Sequence, residues 1–506
     1  MSSNQSTINP KLFRSRLLVQ DQRLIEAAQR VATIIQSLAP DSAYAGMQPH
    51  ALIVGGFVRD VLLSRQPKDL DLEVYGVAPD NLEHLLETFA PGLVNLVGRS
   101  FGVFKIHLGA DVEFDVSLPR RESKTGRGHK GFAVTTDPGL DLREASRRRD
   151  FTFNAISADP LTGELLDPYD GVRDLENRVL RVVDPTTFQD DPLRVYRAIQ
   201  FVARFGLTGE PRSFDLMRQM VVRGDLTELA PERVTEELRK LLLKAQRPSI
   251  GFELARSLGI MTTYFPELSD MIGTVQEPEW HPEGDVWIHT MMVIDRAAEI
   301  IRDSTRGFST EEQLEVMLGA LCHDLGKHAT TARLDGRIRS LGHEEAGVEP
   351  THALLSRLTF GEHARNAAIA VVKDHLKPGM LYKQLMEKQA LTEESYANAV
   401  RKLLKRIHPT SWRVLIAAAE ADYRGRSLPE VTTGPYAHGD LLAATVAKSC
   451  LDEEPTKPLI QGRDLLALGV TPGPRMGELI ATIEALRDAG KITTHEEAVA
   501  HAAQII

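Results

Sequence analysis

Cysteine is nearly missing from this chain: 506 residues contain only Cys322 and Cys450. Two thiols so far apart give neither a disulfide framework nor a thiolate zinc site, so a reducing cytoplasm is the default compartment. Apolar runs long enough to cross a bilayer are missing too, which excludes a helical membrane span. The first 20 residues carry Lys11, Arg14 and Arg16 and no acid. Their apolar stretch is too short for a secretory signal, and a disordered start is expected. Positive charge is not in excess either. A net charge of −10 argues against a general nucleic-acid binder, because phosphate contacts come from Lys and Arg. Any RNA contact must therefore be local. Finally, the sequence holds neither GxGxxG nor GxxxxGK[ST], so a Rossmann site and a P-loop are both unsupported.

What is present exceeds one core. At 506 residues and 42% apolar the chain predicts several domains in a line. A local basic patch exists in "RRESKTGRGHK", Arg120 to Lys130, whose small and turn-forming residues predict a loop. Arg147, Arg148 and Arg149 follow. A solvated surface explains such runs as well as an RNA contact does.

The stretch "ALIVGGFVRDVLL" reads as a short buried strand, a turn at Gly55-Gly56 and a helix start. Such turns can present free N–H groups to phosphate. In "KDLDLEVYG", alternation puts Asp69, Asp71 and Glu73 on one strand face while Leu70, Leu72 and Val74 face the core. In "DVEFDVSLPR" it puts Glu113 and Asp115 on one face. Clustered like charges repel, and a divalent cation resolves the repulsion. Hard oxygen ligands beside a glycine turn describe two-metal nucleotidyl transfer with Mg²⁺. The bland alternative is a surface strand with solvated acids.

The run GG-x-VRD-x-LL followed by D-x-D resembles the head of the class II nucleotidyltransferases, polymerase-β-like proteins that include tRNA CCA-adding enzymes and bacterial poly(A) polymerases. Further motifs appear in that family's order: "RRRDFTFNAIS", "LLDPYDGVRDLENRVLR", "DDPLRVYRAIQFVARFG" and "APERVTEELRKLLL". The resemblance implies that Asp69, Asp71 and Asp115 are catalytic and hold Mg²⁺, and that Gly55, Gly56 and Arg59 lie at the triphosphate. It places Arg149, Asp150 and Asn154 near phosphate and ribose, with Asp191, Arg194, Arg197 and Arg233 among the nucleotide-binding residues. Two departures stand out: Ser64 where glycine usually ends the first helix, and Asp190 where Glu usually precedes the DxxR pair.

"DDPLR" carries its own physical argument. On a helix Asp191 and Arg194, i and i+3, point the same way. A carboxylate accepts from an exocyclic amine and a guanidinium donates to a ring nitrogen. Adenine and cytosine offer that pattern. Uracil and guanine leave both protein groups mismatched, at about 1–3 kcal/mol each. The pair thus admits ATP and CTP. An intrahelical ion pair is the alternative.

From about residue 186 helical periodicity takes over. Near residue 280 a second constellation begins: His289 in "EGDVWIHTMM", the doublet His323-Asp324 in "LCHDLGKH", then His343, His375 and Asp422. The pattern H…HD…D resembles the HD phosphohydrolase superfamily. By that match His289, His323, Asp324 and Asp422 ligate a divalent metal, with Lys327, His343 and His375 near a substrate phosphate. Mixed imidazole and carboxylate ligation suits Mn, Ni, Co or Fe, or Mg with waters.

The expected fold class is α+β: a small polymerase-β-like head with a mixed sheet and helices, then an all-α neck and body and an all-α HD domain. The expected order is an extension over 1–48, the head over 49–185, the neck and body over 186–270, the HD domain over 271–440 and a helical tail over 441–506. The expected partners are a tRNA 3′ end, CTP and ATP, with no membrane and no obligate protein partner. A poly(A) polymerase, an A-adding or CC-adding specialist, and a nonenzymatic RNA-binding or nucleotide-sensing protein stay open as alternatives.

Overall fold

Strand-type alternation dominates the first third of the chain and helical periodicity the rest, and the computed structural model follows that division. It describes residues 13, 17, 22–44, 46–67, 69–96, 102–108, 112–124, 132–432, 434–448, 458–488, 491–492 and 494–506. The chain forms two compact units, one of Met1–Ala245 with Ile250–Ile260, the other of Gln246–Ser249 with Met261–Ile506.

The first unit is built on a sheet containing β1 (His50–Val54), β2 (Leu70–Tyr75), β3 (Val94–Leu96), β4 (Val103–His107), β5 (Glu113–Ser117), β6 (Ser157–Ala158) and β7 (Leu165–Leu166), in the order β3-β4-β5-β2-β1-β6-β7. It is mixed: β2 runs parallel to β5 and antiparallel to β1. The alternation expected of β2 holds on the apolar side, where Leu70, Leu72 and Val74 are buried. The acidic side departs from expectation at Glu73, which is buried, accepts from the Tyr75 hydroxyl at 2.6 Å and pairs with Arg148 at 3.0 Å. Strand periodicity gives a residue's face but not how deep that face lies. The first helix, α1 (Gly56–Leu62), starts directly from the Gly55 turn.

The basic stretch is not all loop. Arg120–Lys124 is a strand paired antiparallel with Phe132–Thr136, and residues 125–130 and the first 12 residues lie outside the described set. Helices α2 (Leu193–Phe205) and α3 (Pro231–Lys244) pack on each other.

The second unit is helical. Its centre comprises α4 (Val286–Arg302), α5 (Thr310–Cys322), α6 (Glu362–Asp374) and α7 (Trp412–Arg424), packed pairwise. Where an all-α domain was expected, a hairpin of Thr331–Leu334 with Arg337–Ser340 is inserted. The last helices share a small core of Ile460, Leu465, Ile483 and Ala498.

Candidate active sites

In the first unit, the parallel pairing of β2 with β5 puts Asp71 directly beside Asp115. Burial raises the Asp71 carboxyl pKa; Arg149 opposes that, and the charges of Asp115, Asp69 and Glu73 add to it. Crowded carboxylates of this kind are the environment a divalent cation relieves. Asp69 stands one residue ahead of β2 and is exposed. Lys105, opposite Asp115 on β4, reaches Asp115 at 3.4 Å and Glu113 at 2.9 Å.

The glycine turn faces this pair. Gly55 has φ +74°, and a Cβ there would lie 3.0 Å from Arg149 Nη1 and 3.7 Å from Asp71 Oδ2. A side chain would therefore fill the space between cation and carboxylate. At Gly56 a Cβ would meet the Arg59 guanidinium at 3.3 Å.

Arg59 is buried, donates to Asn154 Oδ1 at 2.7 Å and lies over the rings of Phe201 and Phe205. Asn154 in turn donates to Asp150 Oδ1 at 2.8 Å, and Arg197 donates to Asp150 Oδ2 at 2.7 Å. Burial works against the Asp150 charge, but Arg197 outweighs it and holds the carboxyl below its ordinary pKa. The four residues thus form one chain of charge-assisted bonds from α1 to α2.

Asp191 and Arg194 do not share a helix face as the i, i+3 argument expects. Asp191 precedes α2, whose N-cap is Pro192, because proline biases the residue before it away from helical backbone. Asp191 accepts from Arg233 at 2.9 Å. Arg194 donates to the backbone carbonyls of Thr187 and Arg148 at 2.6 and 2.5 Å. Of the basic triplet, Arg147 pairs with Asp184 at 3.0 Å and Arg148 with Glu73, leaving Arg149 beside Asp71.

The second unit gathers its candidates more tightly. His289 on α4, His323 and Asp324 at the end of α5, His343, His375 at the end of α6, and Asp422 on α7 are all buried. His289 Nε2 lies 3.1 Å from Asp422 Oδ1 and 3.8 Å from Asp324 Oδ2. His323 Nε2 lies 3.1 Å from Asp324 Oδ2, and Lys327 Nζ 2.7 Å from the same oxygen. Even so, His323 Nε2, both Asp324 oxygens and His343 Nε2 have no hydrogen bond of good geometry. Buried polar atoms left in this state fit a cation, and His289, His323 and Asp324 offer ligand atoms within 4.8 Å of one another. Among the described residues, the groups meeting that spacing all lie in this unit.

The electrostatics agree. Burial would raise the Asp324 and Asp422 carboxyls, but His323 and Lys327 at the first and Arg426 at the second hold them well below the usual range. Burial, then His323, pushes His375 down to about 4.

Residues that spacing alone did not single out complete the site. One oxygen of Glu283, whose side chain is buried, takes the Nδ1 atoms of both His289 (2.8 Å) and His281 (2.9 Å), which orients the His289 ring. Gln276 accepts from Lys327 at 2.8 Å. A cavity of about 690 Å³, lined by Trp280, His281, Lys327, Arg339, Lys383 and Arg426 among others, opens on Asp324 and Asp422.

Three family models match along the chain: the poly A polymerase head domain over residues 51–181, the probable RNA and SrmB-binding site of polymerase A over 206–272, and the HD domain over 286–409. A multifunctional CCA protein of Stenotrophomonas maltophilia is 38% identical over 433 residues, covering 85% of this chain and 96% of the relative. The chain belongs to the multifunctional CCA protein family. Solved structures share its fold. A Bacillus stearothermophilus CCA-adding enzyme in complex with CTP gives a TM-score of 0.60 at 21% identity, over 95% of this chain and 97% of that one. A Thermotoga maritima CCA-adding enzyme complexed with tRNA gives 0.56 at 19%, over 97% and 98%. Both the nucleotidyltransferase and HD parts of the family are metal-dependent, and no described helix is long and apolar enough to cross a membrane.

Proposed function

We propose that this multifunctional CCA family member builds and repairs the 3′-terminal CCA of tRNA from CTP and ATP, and that its HD unit hydrolyses phosphoesters at RNA or nucleotide ends. The observation that carries the first activity is the register of Asp71 against Asp115, with the Gly55 turn and Arg149 facing them. Mg²⁺ held by Asp71 and Asp115, with Asp69, would supply the Lewis acid that activates an RNA 3′ hydroxyl and neutralises the leaving pyrophosphate. The chain's own residues do the rest. Gly55 leaves room for the triphosphate and Arg149 faces it as a cation. The Arg59–Asn154–Asp150–Arg197 chain fixes the floor beneath the sugar. Asp191 accepts from the exocyclic amine of cytosine or adenine and Arg194 donates to the ring nitrogen, after exchanging their present bonds to Arg233 and to the two carbonyls.

The HD reading rests on the buried acceptors around Asp324 and the adjoining 690 Å³ cavity, a volume suited to a nucleotide-sized ester. Lys327, Arg339, Lys383 and Arg426 line that cavity beside the carboxylates of Glu277, Asp324, Glu344 and Asp422, and are the cations available to a phosphate there. Mn, Ni, Co or Fe, or Mg with waters, are the candidate metals, and 2′,3′-cyclic or 2′-phosphates on damaged RNA ends are the expected substrates. The compartment expected for both activities is the cytoplasm.

The test incubates the full chain with Mg²⁺, CTP and ATP on tRNAs ending before the first C, before the second C and before A, with an Asp71→Ala control, and weighs the products by mass spectrometry. Extension that stops at CCA, and is lost in the control, is the expected result. An adenylate ladder would make the chain a poly(A) polymerase, and addition of C alone or A alone a specialist. For the HD unit, release of phosphate or opening of 2′,3′-cyclic AMP across a metal series, abolished by His323→Ala, is expected; no cleavage with any metal would overturn that half.

A further inference from the structure

The cavity that opens on Asp324 and Asp422 has two unlike kinds of wall. Beside its charged side chains and imidazoles it is lined by Trp280, Ile338, Leu341 and Met380. Three of these four are exposed, Trp280 by 54%, Leu341 by 66% and Met380 by 45%. Large apolar side chains gathered around one opening and left in water mark a binding surface. Hydrolysis of a phosphoester makes no use of them.

The segment that carries Trp280 is held in place. Gln276 accepts from Lys327 at 2.8 Å, Glu277 accepts from the Ile338 backbone N–H at 2.9 Å, and Glu279 pairs with Arg337 at 3.0 Å. The N–H groups of Trp280 and His281 then both donate to the Glu277 carbonyl, at 3.1 and 2.9 Å. Next, His281 meets Glu283, the carboxylate that orients His289. The indole is thereby tied to the hairpin Thr331–Ser340 on one side and to the buried histidines on the other.

These bonds also decide what the rim can read. Gln276, Glu277 and Glu279 are engaged within the protein, and the Ser340 hydroxyl is engaged with Thr331 at 2.7 Å. What remains is an aromatic face, a thioether and two aliphatic chains, a surface on which a flat π-system stacks. Every nucleobase has such a face, so stacking tolerates any base where hydrogen-bond readout would select one.

We propose that this rim is a nucleobase platform: the base of a 2′,3′-cyclic or 2′-phosphate ester stacks on Trp280, with Ile338, Leu341 and Met380 around it, while the phosphate lies toward Lys327 and Asp324. The HD unit then requires a base and does not choose among the four. This rests on reading the HD unit as a phosphoesterase and adds what its substrate must carry. Opening a cyclic ester takes up one water, whose oxygen bonds to phosphorus as one ribose P–O bond breaks and the ribose oxygen takes a proton.

The experiment gives the full, metal-loaded chain the 2′,3′-cyclic phosphates of adenosine, guanosine, cytidine and uridine. Beside them it gives methyl β-ribofuranoside 2,3-cyclic phosphate, which keeps sugar and ester and lacks the base. The four nucleotides are expected to open with kcat/KM within about fivefold of one another and about tenfold or more above the riboside. Trp280→Ala is expected to remove most of that ratio through a raised KM for the nucleotides, and Trp280→Phe to keep most of it. A riboside opened as well as the nucleotides overturns the platform and leaves the phosphoesterase standing, as does a ratio unchanged in Trp280→Ala. A preference for one base well beyond that range overturns the assignment too, since stacking does not discriminate so sharply. If no ester is cleaved with any metal, the phosphoesterase reading falls and fluorescence decides the platform alone. Binding of 2′-AMP is expected to quench the wild-type chain and not Trp280→Phe, because Trp287 is fully buried. Equal signals from the two overturn it.

Discussion

Ser64 ends α1 with φ +55°, a left-handed conformation that costs a residue with a Cβ about 1–2 kcal/mol and glycine almost nothing. This gives the departure from the family pattern a physical meaning: the chain keeps the glycine's backbone without the glycine. Ser64→Gly is expected to stabilise the first unit by about 1 kcal/mol, slightly offset by the added freedom of the unfolded chain, which denaturant unfolding would measure. Gly55 is the opposite case. Its φ of +74° strains any L side chain, and the Arg149 guanidinium, 3.0 Å from where a Cβ would sit, would have to give way. Gly55→Ala is expected to lower nucleotide incorporation roughly tenfold or more, equivalent to about 1.4 kcal/mol of lost positioning, while hydrolysis at the HD site stays at the wild-type rate. Single-turnover incorporation beside an ester-cleavage assay separates the two.

Between elements, the tightest approach in the second unit lies inside "HDLGK". A Cβ on Gly326 would fall 2.0 Å from the His343 carbonyl oxygen and 2.5 Å from the Gly347 nitrogen, both backbone atoms. The turn after α5 and the short helix His343–Ala346 therefore interlock only because this residue lacks a side chain. Gly326→Ala must shift either the turn that follows Asp324 or the short helix that begins at His343, and so disturb the spacing between them. The expected outcome is metal affinity lowered at least tenfold, read by competition with a chelator, together with a loss of stability of about 1–3 kcal/mol from overpacking. The sequence made much of this architecture legible. Alternation set the β2 face that carries Asp71, and the resemblance to the HD superfamily named His289, His323, Asp324 and Asp422, which the fold brings together. Where it misled, the cause is local. Pro192 holds Asp191 off the helix, and Glu73 shares a face with Asp71 but sits under Tyr75 and Arg148. The hairpin Thr331–Ser340 carried a usable signal, since Asp335-Gly336 between alternating residues takes positive φ at both positions, the two-residue turn such strands favour. Glu283 and Gln276 could not have been found by pattern, because their roles come from hydrogen bonds made in three dimensions.

At the scale of the whole molecule the chemistry divides between two units whose boundary the chain crosses more than once, since Gln246–Ser249 belongs to the second and Ile250–Ile260 to the first. Each unit has its own core, so unfolding need not be a single step. The groups of side chains that could hold a metal ion with ligand atoms within 4.8 Å of one another, among the described residues, all lie in the second unit. A cation bound there stabilises that unit's native state and not the first's. At a free concentration a hundred times the dissociation constant the gain is about 2.7 kcal/mol, and for a body of this size that moves a melting midpoint by roughly 5–10 °C. Calorimetry of the full chain with and without chelator is thus expected to show two transitions, of which one falls by that amount and the other stays in place. His323→Ala should melt at the lowered temperature whether or not chelator is added, and Asp71→Ala should retain the full shift. Equal movement of both transitions, or a single transition that moves as one, would mean that the two units unfold together and that the metal stabilises the chain as a whole.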